Sequence, residues 1–266
     1  MKSTIIPSSN SLVFILFLFH QTVTASSPYI PVTALDQFGN SVQLQNARQA
    51  AIRHGRLLVA AKFKESIVVV SVDTPKLGHL SPNKILEPVW SNSDTYLACT
   101  GIKADATFVI LTMRDYCKQL WERTNVEQIS QERLTLVLSN TLLEFMGYNR
   151  QAELSDGIST PQEEKETTTW ARPLGIQTLI LTPSRPIVLV EPSGVATSHD
   201  HVCAIGKDSA AVMKSLQEHP LDSITTLQEL KELLVDTIRQ QHQRSEGKPS
   251  HGEIIVQVIS KNGKVE

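Results

Sequence analysis

The chain has 266 residues, of which 41% are hydrophobic, 20% charged and 5% aromatic. Its 25 Lys and Arg against 27 Asp and Glu give a formal net charge of -2, so no basic excess exists to neutralise a phosphate backbone or an anionic membrane. The apolar content excludes a disordered chain, and either one large domain or two small ones would bury on the order of 70% of the unfolded surface.

Lys2 is the only charge among residues 1 to 19, and Leu12 to Phe19 reads LVFILFLF. That run is too short to span a bilayer as a lone helix but suits the apolar region of a secretory leader. Val23-Thr24-Ala25 places small residues where a signal peptidase reads, so cleavage is expected after Ala25, leaving residues 26 to 266. A misassigned start or an uncleaved anchor are the alternatives. Cys99, Cys117 and Cys203 lack both the CxxC spacing of a zinc site and the density of a disulfide scaffold. They read as three buried free thiols, which fits poorly with an oxidising lumen.

From Val42 to His54, Leu44, Ala47 and Ala51 recur at helical spacing, and Gly55 reads as a C′ residue. Leu57 to Phe63 and Ile67 to Val72 are β-rich runs joined by a polar turn, the pattern of an antiparallel hairpin. Thr95 to Thr100 reads as a further strand. The period then changes: Ala106, Val109, Ile110, Met113, Cys117, Leu120 and Trp121 share one face of a helix over about 103 to 123. A second helix follows, with Ser130 as N-cap, Leu134, Leu138, Thr141, Leu142 and Phe145 as its stripe, and Gly147 at its close. Residues 150 to 169 are polar and acidic and read as an exposed loop.

The second half repeats this grammar, with strands at 175 to 181, 187 to 190 and 202 to 205 and helices at about 208 to 218 and 226 to 241. Thr226 and Glu229 form a capping box for the last helix, whose stripe is Leu227, Leu230, Leu234 and Ile238. A strand at 253 to 260 ends the series. His199-Asp200-His201 would put two imidazoles on one side of a strand, but no third ligand is near and exposed polar residues are expected. No metal and no cofactor is implied. The order of strands, two helices, strands, two helices and a strand is not the alternation of a doubly wound sheet. It predicts an α+β fold in which two antiparallel sheets pack face to face between helix pairs, a four-layer αββα sandwich.

Three segments resemble the proteasome family, specifically α-type subunits of the 20S core particle, over about residues 28 to 260. Phe38-Gly39-Asn40-Ser41-Val42-Gln43-Leu44-Gln45-Asn46-Ala47-Arg48, then Ala50-Ala51 and Gly55, resembles the turn and helix that mark α-type subunits. Thr100-Gly101-Ile102-Lys103-Ala104-Asp105-Ala106 resembles the family's SGLxADAR segment. Arg172-Pro173-Leu174-Gly175, Pro192-Ser193-Gly194 and Ala204-Ile205-Gly206 resemble its RPFG, DPSG and AIG landmarks.

The resemblance implies the Ntn-hydrolase fold. In the related β-type subunits a Thr at the mature N-terminus attacks through its hydroxyl while its own amine takes the proton. Aligning residues 57 to 73 on that pattern puts Asp73 at the supporting Asp and Lys84 near the supporting Lys, but the nucleophile position falls on Leu57. A peptide-bonded leucine supplies neither hydroxyl nor amine, so the chain is expected to be non-catalytic. Thr167-Thr168-Thr169 and Ser26 are poor substitutes, the first in the second half and the other a helix away from the first strand. A stand-alone Ntn-type peptidase or amidase, or an orphan paralogue outside the ring, are the competing readings.

By the same resemblance, the chain would sit in a seven-membered ring with other α subunits, stack on β-type subunits and dock activator tails. Lys84 matches the lysine that meets a tail's terminal carboxylate, with Gly39 and Arg48 matching two further positions of that pocket. The chain departs from the family at the gate cluster: Pro28-Tyr29-Ile30 replaces a Tyr-Asp-Arg segment, Gln37 the turn proline and Asn46 the helix tyrosine. A proteasome subunit is expected in cytoplasm and nucleus. The leader instead points to the secretory route, an endoplasmic-reticulum-derived or plastid-surrounding compartment.

Overall fold

The computed structural model describes residues 35–73, 85–91, 93–146, 172–219, 224–246 and 253–266. The leader, Ser26, the 28–30 segment, Lys84, Gly147, the acidic loop and the 167–169 threonine run lie outside the described residues, as does the side chain of Asp73.

Among the described residues, five helices and nine strands follow in the order α1 (Val42–His54), β1 (Leu58–Phe63), β2 (Ser66–Asp73), β3 (Glu87–Pro88), β4 (Tyr96–Gly101), α2 (Lys103–Thr124), α3 (Gln131–Phe145), β5 (Ile176–Leu181), β6 (Ile187–Val190), β7 (Ala196–His199), β8 (Val202–Ile205), α4 (Ser209–Gln217), α5 (Leu227–Glu246) and β9 (Glu253–Ile259). The strands form two sheets, ordered β8-β1-β2-β9 and β3-β4-β5-β6-β7. Every pairing is antiparallel, with Val59 opposite Val70, Leu58 opposite Ile205 and Val70 opposite Val256 in the first sheet. In the second, Glu87 faces Leu97, Ala98 faces Leu179, and Leu189 faces both Leu179 and Thr197.

Strand alternation builds the layers. Leu58, Ala60, Ile67 and Val69 of the first sheet meet Ala98, Leu179, Leu181 and Ile187 of the second in a core between the sheets. The alternate residues turn outward. Val59, Ala61, Val68 and Val70 pack beneath Val212 and Leu216 of α4 and Leu230, Leu234 and Ile238 of α5. Leu97, Ile176, Ile180 and Val190 pack beneath Val109, Met113 and Cys117 of α2 and Leu134, Leu138 and Leu142 of α3. Each Val, Leu, Ile or Met side chain among these contributes about 1.5–3 kcal/mol on burial, and three apolar layers between four layers of structure give the expected α+β four-layer sandwich.

The caps follow the sequence in most places. Ser130 Oγ accepts from the Arg133 amide at 3.3 Å, and Thr226 and Glu229 exchange capping bonds of 3.2 and 3.3 Å. Two strands were not expected. β3 has only two residues, and β7 (ATSH) is an exposed edge strand without apolar alternation. β7 ends at His199, so His201 lies beyond it and the two imidazoles do not share a strand. Cys117 and Cys203 are buried free thiols as expected, but Cys99 is only half-buried. Among the described residues no helix is long and apolar enough to cross a membrane.

Candidate functional site

The site is built around α1 and the start of β1. The turn ahead of α1 is held by one carboxylate: Asp36 Oδ1 accepts the amides of Phe38 and Asn40, each at 2.9 Å, and Oδ2 accepts Gln45 Nε2 at 3.1 Å. These bonds, led by the Asn40 amide, hold the Asp36 carboxyl below its usual range. Gly39 occupies the left-handed region at φ 81, which glycine adopts without steric cost. Ser41 Oγ then accepts the Leu44 amide at 3.4 Å and caps the helix. Gln37 stands where the resemblance would place a turn proline, and the hydrogen bonds to Asp36 hold the turn here.

α1 ends at Gly55, which is extended (φ -80, ψ 136) and not the left-handed C′ residue expected. The glycine is required by close approach. A Cβ there would press on the Ala51 carbonyl and lie 2.5 Å from Thr100 Oγ1. Three further glycines line the same seam. A Cβ on Gly101 would meet the Gly175 carbonyl and sit 3.1 Å from Ala51 Cα, and one on Gly206 would overlap the Arg56 carbonyl. Gly175 faces Ala50 Cβ, at 3.3 Å from where its own Cβ would be. The small residues Ala50 and Ala51 of α1 therefore rest against the backbone of β4 and the segment that leads into β5, and α1 packs across both strands.

Beside this seam lies Leu57, the residue that the alignment of residues 57–73 put at the nucleophile position. Leu57 is 7% exposed, its side chain held in the core beneath α4 and α5. Its carbonyl accepts Ser71 Oγ at 2.9 Å and the Val72 amide at 3.4 Å. The carbonyl of Arg56 accepts Thr100 Oγ1 at 2.7 Å. The Arg56–Leu57 peptide is thus pinned through its carbonyl and the following peptide through the Leu57 carbonyl, and the nitrogen of Leu57 is an amide with no basic lone pair for the Ntn reaction.

Two ion pairs frame the seam. Asp105, 3% exposed in the first turn of α2, receives Arg172 Nη2 at 2.6 Å and Nη1 at 2.9 Å and the Gly175 amide at 2.9 Å. Burial alone would raise its pKa, but the Arg172 hydrogen bonds, the Gly175 amide and the guanidinium charge outweigh it and hold the carboxyl below its usual range. On the other side Arg48 Nη2 lies 2.6 Å from Glu191 Oε2, joining α1 to the turn between β6 and β7. Among the described residues no three His, Cys, Asp or Glu side chains gather to hold a metal.

A family model described as "Proteasome subunit" matches residues 160–259. The match supports a proteasome-family member. It spans β5 to β9 and includes the Arg172, Gly194 and Gly206 landmarks, while α1, Leu57 and the α2 start lie before it. No curated protein matches the chain. Proteasome subunits work in assembly with one another, so the family carries a role in protein degradation and partners of the same kind.

Of the three pocket residues named from sequence, Gly39 and Arg48 flank the N-terminal half of α1, and Lys84 lies outside the described residues. Sequence reading missed Glu191, Asp105 and the glycine seam. A signal for each was present, since Gly101, Asp105, Arg172, Gly175 and Gly206 all fall inside the landmark segments and Glu191 directly precedes one. Those segments, scattered through the sequence, converge on the seat of α1.

Proposed function

We propose that this chain is a non-catalytic structural and gating subunit in the outer α ring of a 20S proteasome-like particle, where it supports ubiquitin-dependent protein degradation and docks activators. The observation that carries the reading is Leu57: where an Ntn nucleophile would need a hydroxyl and a free amine, the chain has a buried aliphatic side chain and a pinned peptide bond. The helix seated upstream favours an α-type subunit over a β-type one.

Residues 26–266 act as one α-type domain in this reading, supported by a first sheet that pairs β1 and β2 with β8 and β9. Its partners are other α subunits in a seven-membered ring, β-type subunits and activator tails, the last meeting Gly39, Arg48 and Lys84. Support for protein partners comes from α2, which exposes Phe108 (42%) and Leu111 (57%) one turn apart, apolar area that assembly would cover. The leader at 1–25 would carry the subunit into the secretory route, and a chain whose leader does not act would remain in cytoplasm and nucleus.

Affinity purification through a C-terminal tag tests the reading. Wild type is expected to recover other proteasome subunits in a ring-sized particle, and Leu111→Glu to release a folded monomer. A wild-type chain that is strictly monomeric and recovers no such subunits overturns it. Imaging a C-terminal fluorescent fusion decides the compartment.

A further inference from the structure

Arg48 is the one cation of the activator site whose surroundings are described, and it is already occupied. We propose that Glu191 is the resident carboxylate of that site, so that a ligand's carboxylate gains Arg48 only by displacing Glu191, which thereby sets the affinity for carboxylate-ended tails. The inference rests on the activator-docking reading above.

Three observations carry it. The pair is short, with Arg48 Nη2 at 2.6 Å from Glu191 Oε2, the geometry of a charge-assisted hydrogen bond. Among the described residues it is the only ion pair that either side chain makes. Both partners also border solvent, with side-chain exposures of 47% and 31%, so an incoming anion can reach the guanidinium without unfolding anything.

Both partners stand on fixed backbone. Arg48 is in the middle of α1, which the glycine seam seats. Glu191 opens a tight turn in which its amide donates to the Val195 carbonyl at 3.0 Å and its carbonyl accepts the Gly194 amide at 2.9 Å. That turn is wedged against α3, since a Cβ on Gly194 would lie 2.9 Å from the Ser139 carbonyl. The Glu191 backbone is therefore held beside Arg48, so its carboxylate stays within reach and competes with an incoming ligand. An exposed pair of this kind contributes modestly, so it tunes binding without abolishing it.

The test uses the purified full chain, in whatever assembly it enters. The probe is a fluorescent octapeptide library randomised at its last three residues and ending in a free carboxylate, with an amidated twin. Glu191→Gln is expected to bind the free-carboxylate library about two- to five-fold more tightly than wild type, with no change for the amidated one. Adding Arg48→Gln should remove that gain. Glu191→Ala, which deletes the carboxylate without leaving an amide, is measured in parallel, and melting curves show that each variant is folded. Binding by wild type with no gain in either Glu191 variant overturns the inference and leaves the docking reading standing. No preference for the free carboxylate in any variant overturns both.

Discussion

Arg172 grips Asp105 with two guanidinium nitrogens, at 2.6 and 2.9 Å, and so ties the first turn of α2 to the segment that leads into β5. The carboxylate is nearly fully buried while the arginine side chain is 58% exposed, and the Gly175 amide completes the shell. Asp105→Asn is expected to cost about 2 kcal/mol at pH 7, a value near the low end for charge-assisted bonds because Arg172 is solvated. The pH dependence has a definite sign. The folded-state pKa lies below the ordinary 3.8, so this stabilisation is complete above that value and is lost as pH falls through the folded pKa. Urea unfolding from pH 7 down to the acid limit should show wild type and Asp105→Asn converging below about pH 4.

Gly101→Ala tests the seat of α1. The residue combines φ 125 with a Cβ position that meets the Gly175 carbonyl. Strain and overlap together predict a loss of about 3 kcal/mol or more. Limited proteolysis should cut within α1 well before the sheets are attacked. A variant with wild-type melting and an intact α1 would show that the seam has slack.

Leu57→Thr tests the catalytic reading by supplying the missing hydroxyl. It is expected to yield no hydrolysis of fluorogenic peptides, because the nitrogen of residue 57 remains an amide bonded to Arg56. Some destabilisation, about 1–3 kcal/mol, should accompany the polar group placed in the outer core. Turnover by the intact variant chain would mean that the proton goes to another base.

The thiols are expected to be inert. Burial pushes Cys99 and Cys117 up to about 11 and Cys203 up to about 12, so at pH 8 the reactive thiolate is on the order of a thousandth of the first two and a ten-thousandth of Cys203. Cys117 lies in the layer beneath α2 and Cys203 between the sheets. Ellman's reagent should react slowly with native protein, the half-buried Cys99 first, and titrate all three thiols in denaturant.

The layers were legible because each is written in local periodicity: Val109, Met113 and Cys117 mark a helix face, and Val68 and Val70 alternate with Ile67 and Val69. β7 was not legible, since an exposed edge strand reading ATSH carries no apolar signal. Nor was sheet order, because β8 and β9 join β1 and β2 through contacts distant in sequence. The site divides in the same way. Gly39 and Arg48 stood out through their local motif, while the Glu191 that occupies Arg48 lies 143 residues away. Gly55 was recognised as a special position but for the wrong reason, since only the fold reveals the Ala51 carbonyl and Thr100 hydroxyl that crowd it.

The glycine seam has a mechanical consequence. Most helices rest on side chains, whose rotamers can shift to absorb a substitution or a push. α1 rests on main chain, and its height above the strands is fixed by covalent geometry. At Gly55 and Gly101 little side chain stands between α1 and the strands, so a load that presses the helix toward the sheets bears there on the β4–β5 backbone.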